Sequence, residues 1–475
     1  MPEYLSPGVY VEEVPSLIKA IAGVSTSIAG FIGVLPDDLE QLLPPVVNQQ
    51  IGKGDGKTTK FTLGNYKVKT QTNPPNPPNP PNPEKLYKFL VNDAEDTTVT
   101  FEETNGISVV NFTQPPADGA VIKGSYQPIF LPAAVGTVKV CTNFTEFKNS
   151  FGDFSTSPKH NLLVHAVYGF FNNGGSRCYV VRVNQAVDIT DVFLEQTFEP
   201  VDEIAIVAAP GITEESVRSA IITHCKQKTQ DRFAIFDSPV TVEDSNGKLD
   251  LTKFSRSSTD NVQPNDSDYA AFYFPWIEVF DPATKTSIYV PPSGHLAGIY
   301  ARVDAAVGVH KAPANEILLG ALGLKYNISK AQQQLLNPQG VNCIRNLNGN
   351  FLVWGARTIG GDANQDLKYI NVRRTLLYLR ESIDEGTQWV VFEPNTPDLW
   401  KRITRNVSDF LTVVWRSGAL FGTTPQQAFY VKCDAETNPP EERELGRVIT
   451  EIGVAIVRPA EFVIFRISQF TASTN

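Results

Sequence analysis

The chain has 475 residues, 41% of them hydrophobic and 19% charged, with a formal net charge of −10. That is length for about three domains at roughly 150 residues each, with enough apolar content to bury real cores. The acidic balance argues against a general nucleic-acid binder, which carries a basic excess. Its five cysteines stand singly, without a C-x-x-C pair, which favours a reducing cytosolic place of synthesis and no structural metal.

The first readable element is "SPGVYVEEVP", Ser6 to Pro15. Val9, Tyr10 and Val11 form a strand-like run pinched between prolines, with no turn nearby to provide a hairpin partner. A lone strand leaves its N–H and C=O groups unpaired, so a partner from elsewhere is required. Ala20 to Leu35 is uncharged and fairly apolar. It is shorter than the ~20 residues of a spanning helix and rich in Gly, Ser and Thr, so it reads as a buried strand and no direct membrane insertion is expected. Glu12 and Glu13 stand where a signal peptide carries positive charge, so no export signal is expected either.

From about Pro45 to Pro128 the sequence falls into short alternating runs ("KFTLGNYKVKT", "KLYKFLV", "TTVTFEE", "ISVVNFT", "AVIKGSY"). This spacing predicts a small β-sandwich or barrel. Within it, "NPPNPPNPPNP", Asn73 to Pro83, predicts a stiff polyproline-II-like spur. Just before, "GKGDGKTT" has three residues between Gly52 and Gly56, where a phosphate loop needs four before its Gly-Lys pair. The run after Thr59 alternates like a strand instead of opening a helix, so no helix end is on offer to a phosphate.

From about Thr137 the pattern becomes α/β. Ser157 and Pro158 open a helix that Gly174 ends. His160 and His165 share that helix without the H-E-x-x-H spacing of a zinc site. "RCYVVRV", "EIAIVAAPG" and "RFAIFDSP" read as strands. Thr213 is placed to cap a helix between the last two, with Val217, Ala220, Ile221 and Cys225 on its apolar face. This β-α-β unit predicts a largely parallel sheet. Asp237, before Ser-Pro, reads as a turn former. Neither a G-x-S-x-G elbow nor a Gly-rich dinucleotide fingerprint occurs. Farther on, Thr396, Pro397 and Asp398 open a helix whose stripe is Trp400, Ile403, Val407, Phe410, Leu411 and Val414, and Gly418 stops it. Arg373 and Arg374 read as fixed ion pairs at a domain or subunit boundary.

Longer blocks carry a resemblance. They are "PPSGHLAGIYARVDAAVGVHKAPANE" (291–316), "LNPQGVNCIRN" (336–346), "VWGART" (353–358), "YINVRRTLLYLRESI" (369–383), "WVVFEPN" (389–395), "AFYVKCD" (428–434) and "RPAEFVIFRISQ" (458–469). In this order, and with the opening "YLSPGVYVEEV", the chain resembles the tail sheath proteins of contractile phages and related injection systems. The resemblance implies a multidomain α/β protein. Residues 1–36 would be an N-terminal arm and first strand, and 37–135 an inserted all-β surface domain. Residues 136–350 would be a subtilisin-like α/β domain, and 351–475 an α+β C-terminal sheath domain with a C-terminal arm.

The word subtilisin raises the question of a protease. His295 in "SGHLAG" superficially matches a catalytic segment, but neither nucleophile nor orienting acid is placed around it by motif. No catalytic residue, metal or cofactor is therefore expected. The resemblance further implies that the terminal arms add strands to neighbouring subunits: Val9, Tyr10 and Val11 at one end, Phe462, Val463, Ile464 and Phe465 at the other. Candidates to face an inner tube are Asp398, Lys401, Arg402 and Arg405 on the Thr396–Gly418 helix, and Glu436, Glu441 and Glu442 in the polar segment after Asp434. The implied partners are copies of the same chain in stacked, hexameric rings, an inner tube, and baseplate and terminator proteins. Such particles would be assembled in the bacterial cytoplasm as part of a phage tail or injection system. The rivals are an α/β hydrolase or nucleotide-dependent enzyme with an unrecognised site, and a monomeric adhesin.

Overall fold

A computed structural model describes residues 20–36, 43, 45–63, 67–68, 87–104 and 107–466. The Val9–Val11 strand and the Asn73–Pro83 spur lie outside the described residues. The chain is mixed α/β, with several sheets and helices.

The centre is a nine-stranded sheet in the spatial order Lys139–Cys141, Cys178–Val183, Ala29–Val34, Ile206–Ala208, Phe233–Asp237, Ala270–Phe274, Val341–Leu347, Asn350–Val353, Glu316–Ile317. The six strands from Cys178–Val183 to Val341–Leu347 are parallel. The members at both edges run antiparallel. Near-continuous apolar runs such as AGFIGV and FAIFD are what strands covered on both faces require. Of the uncharged stretch near the amino end, Ala29–Val34 is a buried strand deep in the sheet, whereas residues 20–28 form no strand and are partly exposed. Phe31 is in register with Val180 on one side and Ala208 on the other. Among the described residues no helix is long and apolar enough to cross a membrane.

The helices Pro158–Asn172 and Ser293–Ala306 pack against each other at backbone distance. A Cβ on Gly294 would lie 2.3 Å from the Ala166 carbonyl oxygen, and one on Gly298 would lie 2.4 Å from that of Phe170. "SGHLAGIY" is therefore a packing motif: its glycines remove the side chains that would hold the two helices apart.

Between Val46 and Ile129 all described strand pairs are antiparallel. They enclose a separate small core of Leu63, Val68, Phe89, Val99, Val110, Phe112, Ile122 and Tyr126. The Gly52–Gly56 tract runs from the end of the Val46–Lys53 strand into a surface loop. Asp55 accepts from the Lys57 and Thr58 amides (2.8 and 2.6 Å), and a strand, Lys60–Thr62, comes next.

A third core lies under the helix Pro397–Arg416. Trp400, Ile403, Val407, Phe410, Leu411 and Val414 are all buried in it, as the stripe predicts, and Gly418 stands just past the helix at φ 86°. The caps need correction. Thr396 and Ser157 stand at the predicted N-cap positions, but neither side chain makes a capping hydrogen bond. The cap of the Glu215–Thr223 helix is Glu214, one residue beyond Thr213. Ile21 also belongs to this third core, so the segment that leads into the central sheet is packed first against the C-terminal helices.

Candidate functional site

The residues that could carry catalysis are structural. Asp237 is a correction: it is fully buried and forms no turn. Its carboxylate accepts from the Ser293 amide (2.8 Å), the Ser293 hydroxyl (2.6 Å) and the Gly211 amide (3.1 Å), which ties the sheet to the start of the Ser293–Ala306 helix. Burial pushes its pKa up to about 6, against the pull of those hydrogen bonds. His295 lies two residues along the same helix, about 200° around its axis from Ser293. It packs on Gly169, and its Nδ1 has no hydrogen-bond partner among the described residues. Burial, with His165 nearby, lowers its pKa to about 3. The Ser–Asp pair and the histidine do not meet, and all three are sealed in the core, so no nucleophile, base and orienter come together. No group of metal-ligating side chains occurs among the described residues, and the five cysteines are free and buried.

The segments next to the two ends of the described chain are better built. At the amino end, the Val24 amide donates to Ser382 Oγ (3.1 Å) and Thr26 Oγ1 donates to Asp304 (2.6 Å). Arg374 holds Asp304 in a two-pronged ion pair (3.0 and 2.6 Å) and also donates to the Thr26 carbonyl (2.8 Å). Its neighbour Arg373 pairs with Asp268 and lies over the Tyr269 ring. The two arginines therefore make fixed ion pairs between the Ile370–Thr387 helix and the central body.

Beside this root, a cleft of about 390 Å³ is lined by Asp202, Glu203, Asp231, Glu381 and Glu385 among others. Burial, then Asp231, Asp384, Glu385 and Asp202, push Glu381 up to about 7. A raised carboxylate favours the fold below its ordinary value and loses that contribution as pH rises through the raised one. Glu381→Gln is therefore expected to raise the melting temperature by about 2 °C near pH 8 and to change it little near pH 5. Melting curves at the two pH values check this, and equal shifts at both would contradict it.

At the carboxyl end, the strands Phe429–Lys432 and Glu451–Val454 form a two-stranded sheet. The chain continues past Val457, whose amide bonds Ala419 (3.2 Å), to Glu461. Glu461 receives Arg357 through both oxygens (2.8 and 2.9 Å), the Tyr369 hydroxyl (2.9 Å) and the Asn337 amide (2.7 Å). Burial would raise its pKa, but Arg357, Asn337 and Tyr369 outweigh it and hold the carboxyl below its ordinary value. Directly beyond, Phe462, Val463, Ile464 and Phe465 are 70, 69, 77 and 85% exposed and lie in none of the described strands. Their expected pairing is with a neighbouring copy, and no described strand of the body pairs with them.

The two sets of tube-facing candidates are close at one point. The Asn395 side chain, just before the helix, donates to the Arg447 carbonyl (2.8 Å), in the loop after the acidic Pro440–Glu444 helix. Asp398, Lys401 and Arg405 are exposed opposite the apolar stripe, and Glu436 and Glu441 are exposed as well. Arg402 and Glu442 are half-buried: Arg402 pairs with Glu393 and stacks on Trp389, and Glu442 pairs with Arg447. Sequence reasoning missed Glu461, whose only signal was a lone carboxylate inside an apolar run. It also missed Phe392, which is fully exposed at φ 68°.

Two family models match the chain: the phage tail sheath protein central domain over residues 186–359 and the phage tail sheath C-terminal domain over residues 362–470. Together they cover more than half of it. The chain belongs to the phage tail sheath protein family. This is a family of structural proteins, not of enzymes. Among curated relatives, the tail sheath protein of Burkholderia phage BcepMu is 28% identical over 203 residues, 41% of this chain and 41% of that one. The chain spans about half the length, or less, of such relatives. The sheath complex of the extracellular contractile injection system PVC, in the contracted state, is similar at a TM-score of 0.64 and 24% identity, over 99% of both chains. The contracted helical sheath of the anti-feeding prophage gives 0.63 and 24%, over 98% of this chain and 99% of that one. These likenesses concern the fold.

Proposed function

We propose that this sheath-family chain polymerises as stacked, hexameric rings around an inner tube, between a baseplate and a terminator, and contracts to drive the tube through a target envelope. Assembly would take place in the bacterial cytoplasm. The observation that carries the reading is an unmet pairing demand. A two-stranded sheet, marginal by itself, stands in the same chain as four consecutive exposed apolar residues that pair with no described strand. Strand addition between copies satisfies both: backbone hydrogen bonds supply the affinity, and the arm stays paired while the bodies move. Val9–Val11 would be the second donor. The exposed charges of Asp398, Lys401 and Arg405, with Glu436 and Glu441, are the surface we assign to the tube.

In this reading residues 1–36 and the end of 351–475 supply arms, 136–350 form the subtilisin-like body, and 37–135 are an insertion. Contraction needs no nucleotide if the contracted lattice buries more surface. A further ~200 Å² of apolar area per subunit at about 25 cal/mol per Å² is about 5 kcal/mol, an upper estimate for an interface. Sedimentation tests the reading against its rivals, because a sheath forms very large particles and a hydrolase or adhesin stays small.

A further inference from the structure

We propose that Glu461 is the anchor that sets where the C-terminal arm leaves the body, and so where Phe462–Phe465 are presented to a second copy of the chain. The inference rests on the strand-exchange reading and adds a positioning device to it.

The slack in the chain ahead of Phe462 decides how well that residue is placed. Among the described residues, the last backbone groups of this segment bonded to the rest of the body are those of Val457, whose amide donates to the Ala419 carbonyl and whose carbonyl accepts from Asn371 (3.2 Å). Held there alone, residues 458–461 would be slack of about 13 Å, at ~3.3 Å per extended residue. The Glu461 carboxylate is gripped four residues past Val457 by three different side chains, which takes up that slack immediately before Phe462. Shortening a tether and fixing its origin raise the effective concentration of the segment it carries, without adding any contact to the partner.

The clamp is suited to holding a charge. Arg357 is 3% exposed, and its guanidinium is otherwise committed to the Asn337 carbonyl (3.1 Å) and Asp362 (3.0 Å). Such a planar group pairing both oxygens of one carboxylate fixes direction as well as distance. Its partners come from three stretches of the chain, two of which are joined by the β-bridge between Arg357 and Tyr369. Asn337 comes directly after the Lys330–Leu336 helix, Arg357 lies in a loop after the Asn350–Val353 strand, and Tyr369 precedes the Ile370–Thr387 helix. The arm is thereby referred to the rigid body at three points. Phe462 and Val463 then border a groove of about 1410 Å³ that Trp354, Leu347 and Val307 also line.

The five cysteines are buried, so a nitroxide on Val463→Cys labels one site in the folded chain. In that background Glu461→Ala is expected to shorten the label's rotational correlation time about threefold. In the unlabelled chain, Glu461→Ala should raise the concentration at which polymers appear about tenfold, or 1.4 kcal/mol. Body melting should stay within about 2 °C, because Arg357 keeps Asp362 as a counter-ion. Tyr369→Phe keeps the ring and removes one donor, and should shift both readouts in the same direction by less. Unchanged label mobility in Glu461→Ala, or raised mobility with an unchanged threshold, overturns the proposal. If Glu461→Ala does not fold, Tyr369→Phe decides: an immobile label and an unchanged threshold overturn it. An unmodified chain that never polymerises refutes the strand-exchange reading itself, while the label still reports on the clamp.

Discussion

A chain lacking residues 1–15 is expected to fold, to melt close to the full-length chain and no longer to polymerise. The described body explains the first half of this result. Among the described residues the first to join a core is Ile21, and the first hydrogen bonds to distant residues are made by Val24 and Thr26, all beyond the cut. Strand exchange explains the second half. A short ladder contributes about 0.5–1.5 kcal/mol net per hydrogen bond, and losing three or so raises the polymerisation threshold about a hundredfold. Val11→Pro should reproduce much of the loss, since proline deletes a ladder N–H, whereas Tyr10→Val should matter less. Circular dichroism with melting reads the fold, and sedimentation reads assembly. A truncated chain that still builds full polymers removes the arm's role, and one that does not fold places the strand inside its own body.

The second large effect is in the core. Gly294→Ala puts a methyl group 2.3 Å from the Ala166 carbonyl oxygen and 2.4 Å from its Cα, both backbone atoms that cannot rotate aside. The two helices must separate, and with them the bond between Ser293 and Asp237 that ties helix to sheet. The expected cost is about 3 kcal/mol or more, at the upper end for overpacking. Urea unfolding checks it, and a midpoint indistinguishable from the unsubstituted chain would show that the helices are not packed at glycine distance.

Local patterns were legible in the sequence because their causes are local. The stripe from Trp400 to Val414 repeats at helical spacing, and the strands Ala29–Val34, Ile206–Ala208 and Phe233–Asp237 are almost wholly apolar, so the local pattern finds them. Long-range consequences were not legible. Nothing in AGFIGV says that this strand lies between two strands, Cys178–Val183 and Ile206–Ala208, from far along the chain, with Gly33 lying where a Cβ would strike Leu163. Asp237 looks like a turn former until Ser293, 56 positions away, is seen to donate to it twice. Glu461 had even less to show, since its meaning depends on Arg357, Tyr369 and Asn337 arriving from three separate segments. The carboxyl-terminal arm was implied by the resemblance, and what its own residues show is an apolar run, Phe462–Phe465. What fixes its root is a matter of tertiary structure.

Whether one kind of chain assembles by exchanging terminal strands is decided by imaging the full-length protein produced alone. Hollow helical polymers, sedimenting far above the 52.2 kDa chain, are the expected result. A monodisperse monomer at every concentration, with Phe462–Phe465 still exposed, would contradict strand exchange.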